Sequence, residues 1–411
     1  MMFEFVLREA RIDGRDDLAD IGVIGGSIAA IEPRLPEGAP DRSAEGRFVC
    51  TGFVDAHIHL DKAGILDRCP ICEGTLKEAV SLTAAAKAGF RANDVHARAE
   101  TVLKQAIVSG TMAMRSFVET DPRVGLASFE ALTQLKRDYA SMIDLDLCAF
   151  AQEGLTQEMA TYDLLIAALE HGATSVGGCP YTDPDPARHI DLVLDLAERF
   201  AVPADFHIDF DLDPEGSDLP ALISSVKARG LQGRVSVGHA SKLSAMAPER
   251  FRELAGQLAE ADVGVVVLPA TDLYLMGRGA ERLAPRGMAR ADLLAKAGVR
   301  TAVATNNVLN PFTPFGDASL IRMANLYANV AQLGTDEQIA QSFGMIGEAA
   351  ASVLGLLRDS APTVGAPADL LILDATSAIE AVRRIAQPIA GWKKGRQTFE
   401  HPLPRLLRLS S

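Results

Sequence analysis

No run of eighteen apolar residues occurs anywhere in the 411-residue chain, which excludes a helical membrane span. Cysteine is scarce and odd in number: five residues, at Cys50, Cys69, Cys72, Cys148 and Cys179. That usage suits reduced thiols rather than a disulfide framework. Cys69 and Cys72 have the spacing of half a zinc site, but no second pair completes it, so a loop with two thiols is expected. Basic charge is in deficit, with 40 Lys and Arg against 54 Asp and Glu, a formal net charge of −14. A phosphate backbone or an anionic lipid surface needs a basic partner, so neither nucleic acid nor a membrane is expected. The opening MMFEFVLREARIDGRDD carries acids where a secretory signal has a basic head and a long apolar stretch. A cytoplasmic location is the default expectation.

What is there is a globular composition, 48% hydrophobic and 23% charged, on a chain long enough for one large domain and an appendage. Eight short apolar runs recur at 53–60, 111–118, 144–151, 174–180, 203–209, 234–240, 263–270 and 299–305. Segments with helical spacing lie between them; DLLIAALEHG and HIDLVLDLAERF are the clearest. After the second run the starts fall about thirty residues apart, the length of one βα unit. Runs apolar on both faces indicate a parallel sheet covered on both sides. The predicted fold class is therefore α/β, a (β/α)8 TIM-type barrel over residues 51–360. A doubly wound open sheet is the rival, and eight regular units fit closure better. Residues 1–50 and 361–411 instead alternate and break at Gly and Pro, which predicts antiparallel strands. The two termini are expected to pair into a small β-sandwich domain.

Active sites of such barrels form at the carboxyl ends of the strands. Four of the chain's eight histidines fall there: His57 and His59 on the first strand, His207 on the fifth and His239 on the sixth. Residues i and i+2 of a strand point the same way, so His57 and His59 would share the lumen. Buried imidazoles need a partner for each nitrogen, and a divalent metal supplies one. His207 offers a third ligand. The competing explanation, a set of hydrogen-bonded core histidines, suits one isolated His better than four at matching ends. His96, His171, His189 and His401 lie on or beside predicted helices or in the tail, where surface or packing roles are expected. Zinc, iron and manganese all accept three imidazoles, so spacing does not choose among them.

These residues resemble a known family. GFVDAHIHLDK resembles the first-strand motif of the amidohydrolase superfamily, and most closely its cytosine-deaminase-like branch. AFAQEG, VGGCPYTD, LPATDLYLMGR, NPFTPFGDASL and GAPADLLILD resemble further segments of that branch, spread over most of the chain. The resemblance implies one divalent metal ion, held by His57, His59, His207 and the residue at 306, with His239 at the activated water or substrate and Gln152 holding the substrate ring. Strand four carries no Lys to bridge a second ion. It also implies hydrolysis of a C–N bond, by deamination or amide hydrolysis, with metal-activated water.

The chain departs from the family's pattern at two places. The family's eighth-strand Asp falls on Asn306, followed by Asn307 and Asn310, and cytosine deaminase's proton-shuttling Glu falls on Phe210. An amide has no useful basicity, and general acid–base catalysis is typically worth about 10²- to 10⁴-fold. Three readings compete. Another group takes the proton: His239 first, then Asp209 or Asp61 by strand parity. Or the protein is a non-catalytic small-molecule binder. Or a substitution has disabled an ordinary enzyme, which fits least because several positions depart together. Asn306 would then be a weak carbonyl ligand or bond to the water. Phe210 disfavours cytosine and favours a small cyclic amide or an N-substituted aminoheterocycle. Phe312, Phe315, Tyr274 and Leu275 are candidates to line its pocket or simply to pack their loops. Lys62 could meet an acidic substrate group, although a surface salt bridge is the plainer expectation. Assembly into a homo-oligomer stays open.

Overall fold

The computed structural model describes residues 2–402 and 404. Eight strands stand in sequential order in one parallel sheet: Phe53–Ile58, Thr111–Glu119, Asp144–Ala151, Ser175–Gly178, Ala204–Ile208, Val235–His239, Val263–Val267 and Thr301–Val303. Each falls inside or within one residue of an apolar run read from the sequence. The first and last strands meet through a parallel bridge between Ile58 and Asn306, which closes the ring. The seam consists of two backbone bonds, Asn306 N–H to His57 O and His59 N–H to Asn306 O, both 2.8 Å.

Helices cover the outside. Pro186–Arg199, between strands four and five, shows why they form. Asp185 accepts the Arg188 amide as N-cap, and Pro186 sits where its missing N–H is no loss. Ile190, Val193, Leu194 and Ala197, at i, i+3, i+4 and i+7, are buried against the barrel. Each large apolar side chain so buried contributes about 1.5–3 kcal/mol. Among the described residues no helix is long and apolar enough to cross a membrane.

The termini do pair. One four-stranded sheet takes Ser27–Glu32, Ala19–Ile24, Phe5–Ala10 and Asp41–Ser43 in that order; the other takes Arg396–Glu400, Pro388–Lys393, Leu370–Leu373 and Phe48–Thr51. Leu7, Ile21, Val23, Val49, Leu370, Ile372 and Trp392 fill a core common to both sheets. One pairing departs from the antiparallel expectation: Phe5–Ala10 runs parallel to Asp41–Ser43. The carboxyl-terminal segment also contains an unforeseen helix, Ala378–Arg384, whose Ala378, Ala381 and Val382 join the barrel's core.

Candidate metal centre and active site

Along the second strand, alternate residues turn inward and mark three levels of the lumen. Arg115 pairs with Asp146 and Asp205 near the amino end. Phe117 lies one step up, with its ring 4.1 Å from that of His57. Glu119 reaches the mouth and accepts the Lys62 ammonium. His57, His59 and His207 therefore stand on an aromatic floor made by Phe117 and Phe150.

The three imidazoles converge. Their rings lie 4.5 to 5.7 Å apart, and one nitrogen from each can be chosen so that all lie within 4.8 Å of one another. All three are buried. Burial, followed by the neighbouring imidazoles and the Lys62 ammonium, holds each well below the ordinary imidazole range, so each is neutral. Both nitrogens of His57, Nδ1 of His59 and Nε2 of His207 have no hydrogen-bond partner. Leaving buried polar atoms unpaired costs about 1–3 kcal/mol each, and neutral imidazole nitrogens are metal donors. The donor set thus fits a divalent ion. Backbone supports the arrangement: a Cβ at Gly238 would lie 2.6 Å from Cε1 of His57, so only glycine leaves that ring its place.

Asn306 sits beside them in the left-handed region, φ 62°, and neither atom of its amide has a partner. Its conformation is fixed by the two seam bonds rather than by its side chain. His239 also has φ 68°; its Nδ1 lies 2.7 Å from Oδ1 of Asp272, and its ring packs 3.7 Å from that of Phe210. With Nδ1 facing a carboxylate, the neutral ring carries its proton there and leaves Nε2 as a free base. Burial pushes the Asp272 carboxyl above its usual range, an effect that His239 opposes. Sequence reasoning missed Asp272. It lies within LPATDLYLMGR, three residues into the helix Pro269–Leu275, but only the fold brings it to His239.

The opposite wall is polar. Lys62 is not at the surface: it is 1% exposed, and its ammonium donates to Oε1 of Glu119 at 2.7 Å and Oε1 of Gln152 at 3.1 Å. Nε2 of Gln152 donates to Sγ of Cys179. Glu119 is shared with a second buried ammonium, Lys87, which also takes Asp121 and Glu153. Burial alone would raise Glu119, but the two ammoniums more than offset it and hold the carboxyl down at about 2. No spacing in the sequence announces this network, because its members lie on five different segments.

Other expected residues fall elsewhere. Strand five ends at Ile208, and Asp209 adopts φ 53°, which breaks the parity with His207. Its carboxylate takes Ser217 Oγ and the Asp218 amide instead of facing the lumen. Phe210 then enters the site. Asp61 accepts the amides of Lys62 and Glu119, and burial together with Glu119 pushes its carboxyl up to about 6. Phe312 lines the cavity and its ring lies 4.5 Å from the Lys62 ammonium; Phe315 is exposed, with Tyr274 against it. Leu275 packs with Phe210, Phe312 and Ala79. His189 is a buried partner of Asp183, as a packing role predicts, and Cys69 and Cys72 carry free thiols. The cavity at the histidines measures about 10 Å³, room for one water. A far larger apolar groove of about 1010 Å³, beside Met246, Phe251 and Met288, holds none of these groups.

A closed eight-stranded barrel with three converging imidazoles at its carboxyl mouth defines a class of metal-binding hydrolase folds. Residues 123–399 match the model of the amidohydrolase family, and the chain belongs to that family. It falls in the cytosine-deaminase-like branch. It is 28% identical over 391 residues to the pterin deaminase of Rhizobium rhizogenes, covering 94% of this chain and 89% of the relative. It is likewise 28% identical over 411 residues to the N-isopropylammelide isopropyl amidohydrolase of Pseudomonas sp. strain ADP, covering 96% of each. Among solved structures, 5-methylcytosine deaminase from Klebsiella pneumoniae, liganded with 5-fluorocytosine, superposes with a TM-score of 0.92 at 26% identity over 98% of this chain and 99% of that one. These relatives are named for deamination and amide hydrolysis, which gives the reading as a non-catalytic binder no support.

Proposed function

We propose that the chain is a metal-dependent hydrolase that cleaves a C–N bond in a small cyclic or N-substituted compound. One observation carries this: three buried, neutral imidazoles, His57, His59 and His207, converge with donor nitrogens that nothing in the protein satisfies. His57, His59 and His207 would hold a divalent ion, zinc, iron or manganese by donor type, which would supply a water of lowered pKa. The chain's own residues do the rest. Nε2 of His239 accepts the proton, because Asp272 holds the ring by Nδ1 and stabilises it once charged. His239 then returns that proton to the leaving nitrogen. Asn306 holds water or metal through its carbonyl oxygen and takes no proton. Asp209 is committed to Ser217 and Asp218, so the base falls to His239. Gln152 and Lys62 hold the ring; Phe210 and Phe312 close over it.

Supporting the reading, the relatives named above are named for pterin, N-isopropylammelide and 5-methylcytosine, all small nitrogen heterocycles. The test is turnover. Protein loaded separately with zinc, iron(II) or manganese is offered a panel of cyclic amides and aminoheterocycles, with release of ammonia or alkylamine followed. Release from at least one compound is expected, and Asp272→Asn should lower kcat about 10- to 100-fold while metal content holds. Tight binding of panel members with no release from any of them would replace the enzyme by a binder.

A further inference from the structure

The residues that line the cavity include no carboxylate among those described: the only full charge on the wall is the Lys62 ammonium. The acids nearby all face elsewhere. Asp272 is on His239, Asp209 is on Ser217, Asp61 is on two backbone amides, and Glu119 divides its oxygens between Lys62 and Lys87.

The amides of this wall have fixed orientations, set by groups that can only donate. An ammonium has no lone pair, so the atom of Gln152 that meets Lys62 is oxygen, and its NH2 group is left for Cys179 and Tyr181. Asn310 accepts the amides of Phe312 and Thr313 through Oδ1, so its Nδ2 donates, and the atom of Asn307 that receives it is Oδ1. Asn307 therefore turns Nδ2 toward the cavity. Lys62 has a third N–H beyond those given to Glu119 and Gln152. Two donors on the cavity wall, Lys62 Nζ and Asn307 Nδ2, are thus left for the substrate. Lys62 has one oxygen of Glu119, while Lys87 has Asp121 and Glu153 besides the other.

Resting on the hydrolase reading, we propose that this wall selects an oxo-rich heterocycle of the imide or ureide kind, whose acceptor edge carries negative charge. A ring that shows amino groups along that edge meets donor against donor and leaves them unpaired. Phe210 and Phe312 cover the faces of the ring without adding a polar preference. The amide or alkylamine nitrogen to be lost sits on the side of the imidazoles, and the carbonyl edge sits against Lys62.

The test measures binding, apart from turnover, with two rings of one size on metal-loaded protein. Barbiturate presents carbonyl oxygens and a negative charge, and 2,4,6-triaminopyrimidine presents donors; neither is used as a substrate. Calorimetric titration should find barbiturate bound at least about tenfold more tightly. Lys62→Met should weaken barbiturate about 10- to 100-fold and leave triaminopyrimidine unmoved. Because that change orphans Glu119, the double variant K62M/E119Q, which removes both charges, is measured beside it and should lose the same preference. Equal or tighter binding of triaminopyrimidine, or a barbiturate affinity unmoved in the double variant, overturns the proposal. Turnover on the panel with no preference for barbiturate overturns this inference alone. A barbiturate preference lost on removal of Lys62, in a protein that turns nothing over, keeps it and overturns the hydrolase reading.

Discussion

The two ends of the barrel lumen bury polar groups in opposite ways. At the amino end, Arg115 is gripped by Asp146 and Asp205, and Asp205 also takes the Ser236 hydroxyl. Each charge there meets its opposite within the chain, and only Oδ1 of Asp205 lacks a hydrogen-bond partner among the atoms of these three side chains. At the carboxyl end, the nitrogens of His57, His59 and His207 named above and the amide of Asn306 meet nothing. Arg115 and Asp205 are as buried as the three histidines, so the contrast is not one of solvation. A buried group left without a protein partner destabilises the fold unless a partner arrives from outside. The amino end belongs to the fold, and the carboxyl end belongs to its ligands.

Three perturbations break that comparison. The largest is His207→Ala, which should leave the fold intact while metal per chain, read by mass spectrometry, falls to a small fraction. Turnover should fall more than about a hundredfold, since losing a group one bond further from a metal already costs about 10- to 100-fold. Arg115→Met does the reverse. It strands the buried Asp205 and the partly exposed Asp146, and urea unfolding should show a loss of about 3–5 kcal/mol with metal per folded chain unchanged. The third is at Glu119, an acid at the mouth that is paired as the amino end pairs its own. Its folded pKa is depressed, from 4.5 to about 2. The stability it contributes is complete above about pH 4.5 and is lost as pH falls toward 2. Glu119→Gln should therefore flatten that acid limb of stability, measured by urea unfolding across the range.

The contrast also explains what could be read without a structure. The eight strands were legible because each is an apolar run between turns, and burial on both faces leaves little freedom. The histidines were legible because strand parity placed them. Parity fails where the backbone leaves the β region. It sent Asp209 inward, but φ 53° there turns the carboxylate to Ser217 and brings Phe210 into the cavity. Lys62 read as a surface residue, because its partners Glu119 and Gln152 are 57 and 90 residues away. Asp272 was illegible for the same reason, being 33 residues from His239. Local chemistry writes itself into spacing; pairs made by the fold do not.

The ring of staves is completed by the very residues proposed to hold the centre, since His57 and His59 clasp Asn306 through their main chains. Closing the barrel and assembling the donor set are therefore one event, and neither precedes the other. The amide protons of His59 and Asn306 become built-in reporters: slow deuterium uptake at these two positions certifies a formed centre, and fast uptake announces a parted clasp. Stability of the last stave, only three residues long, thereby sets how long the centre stays assembled.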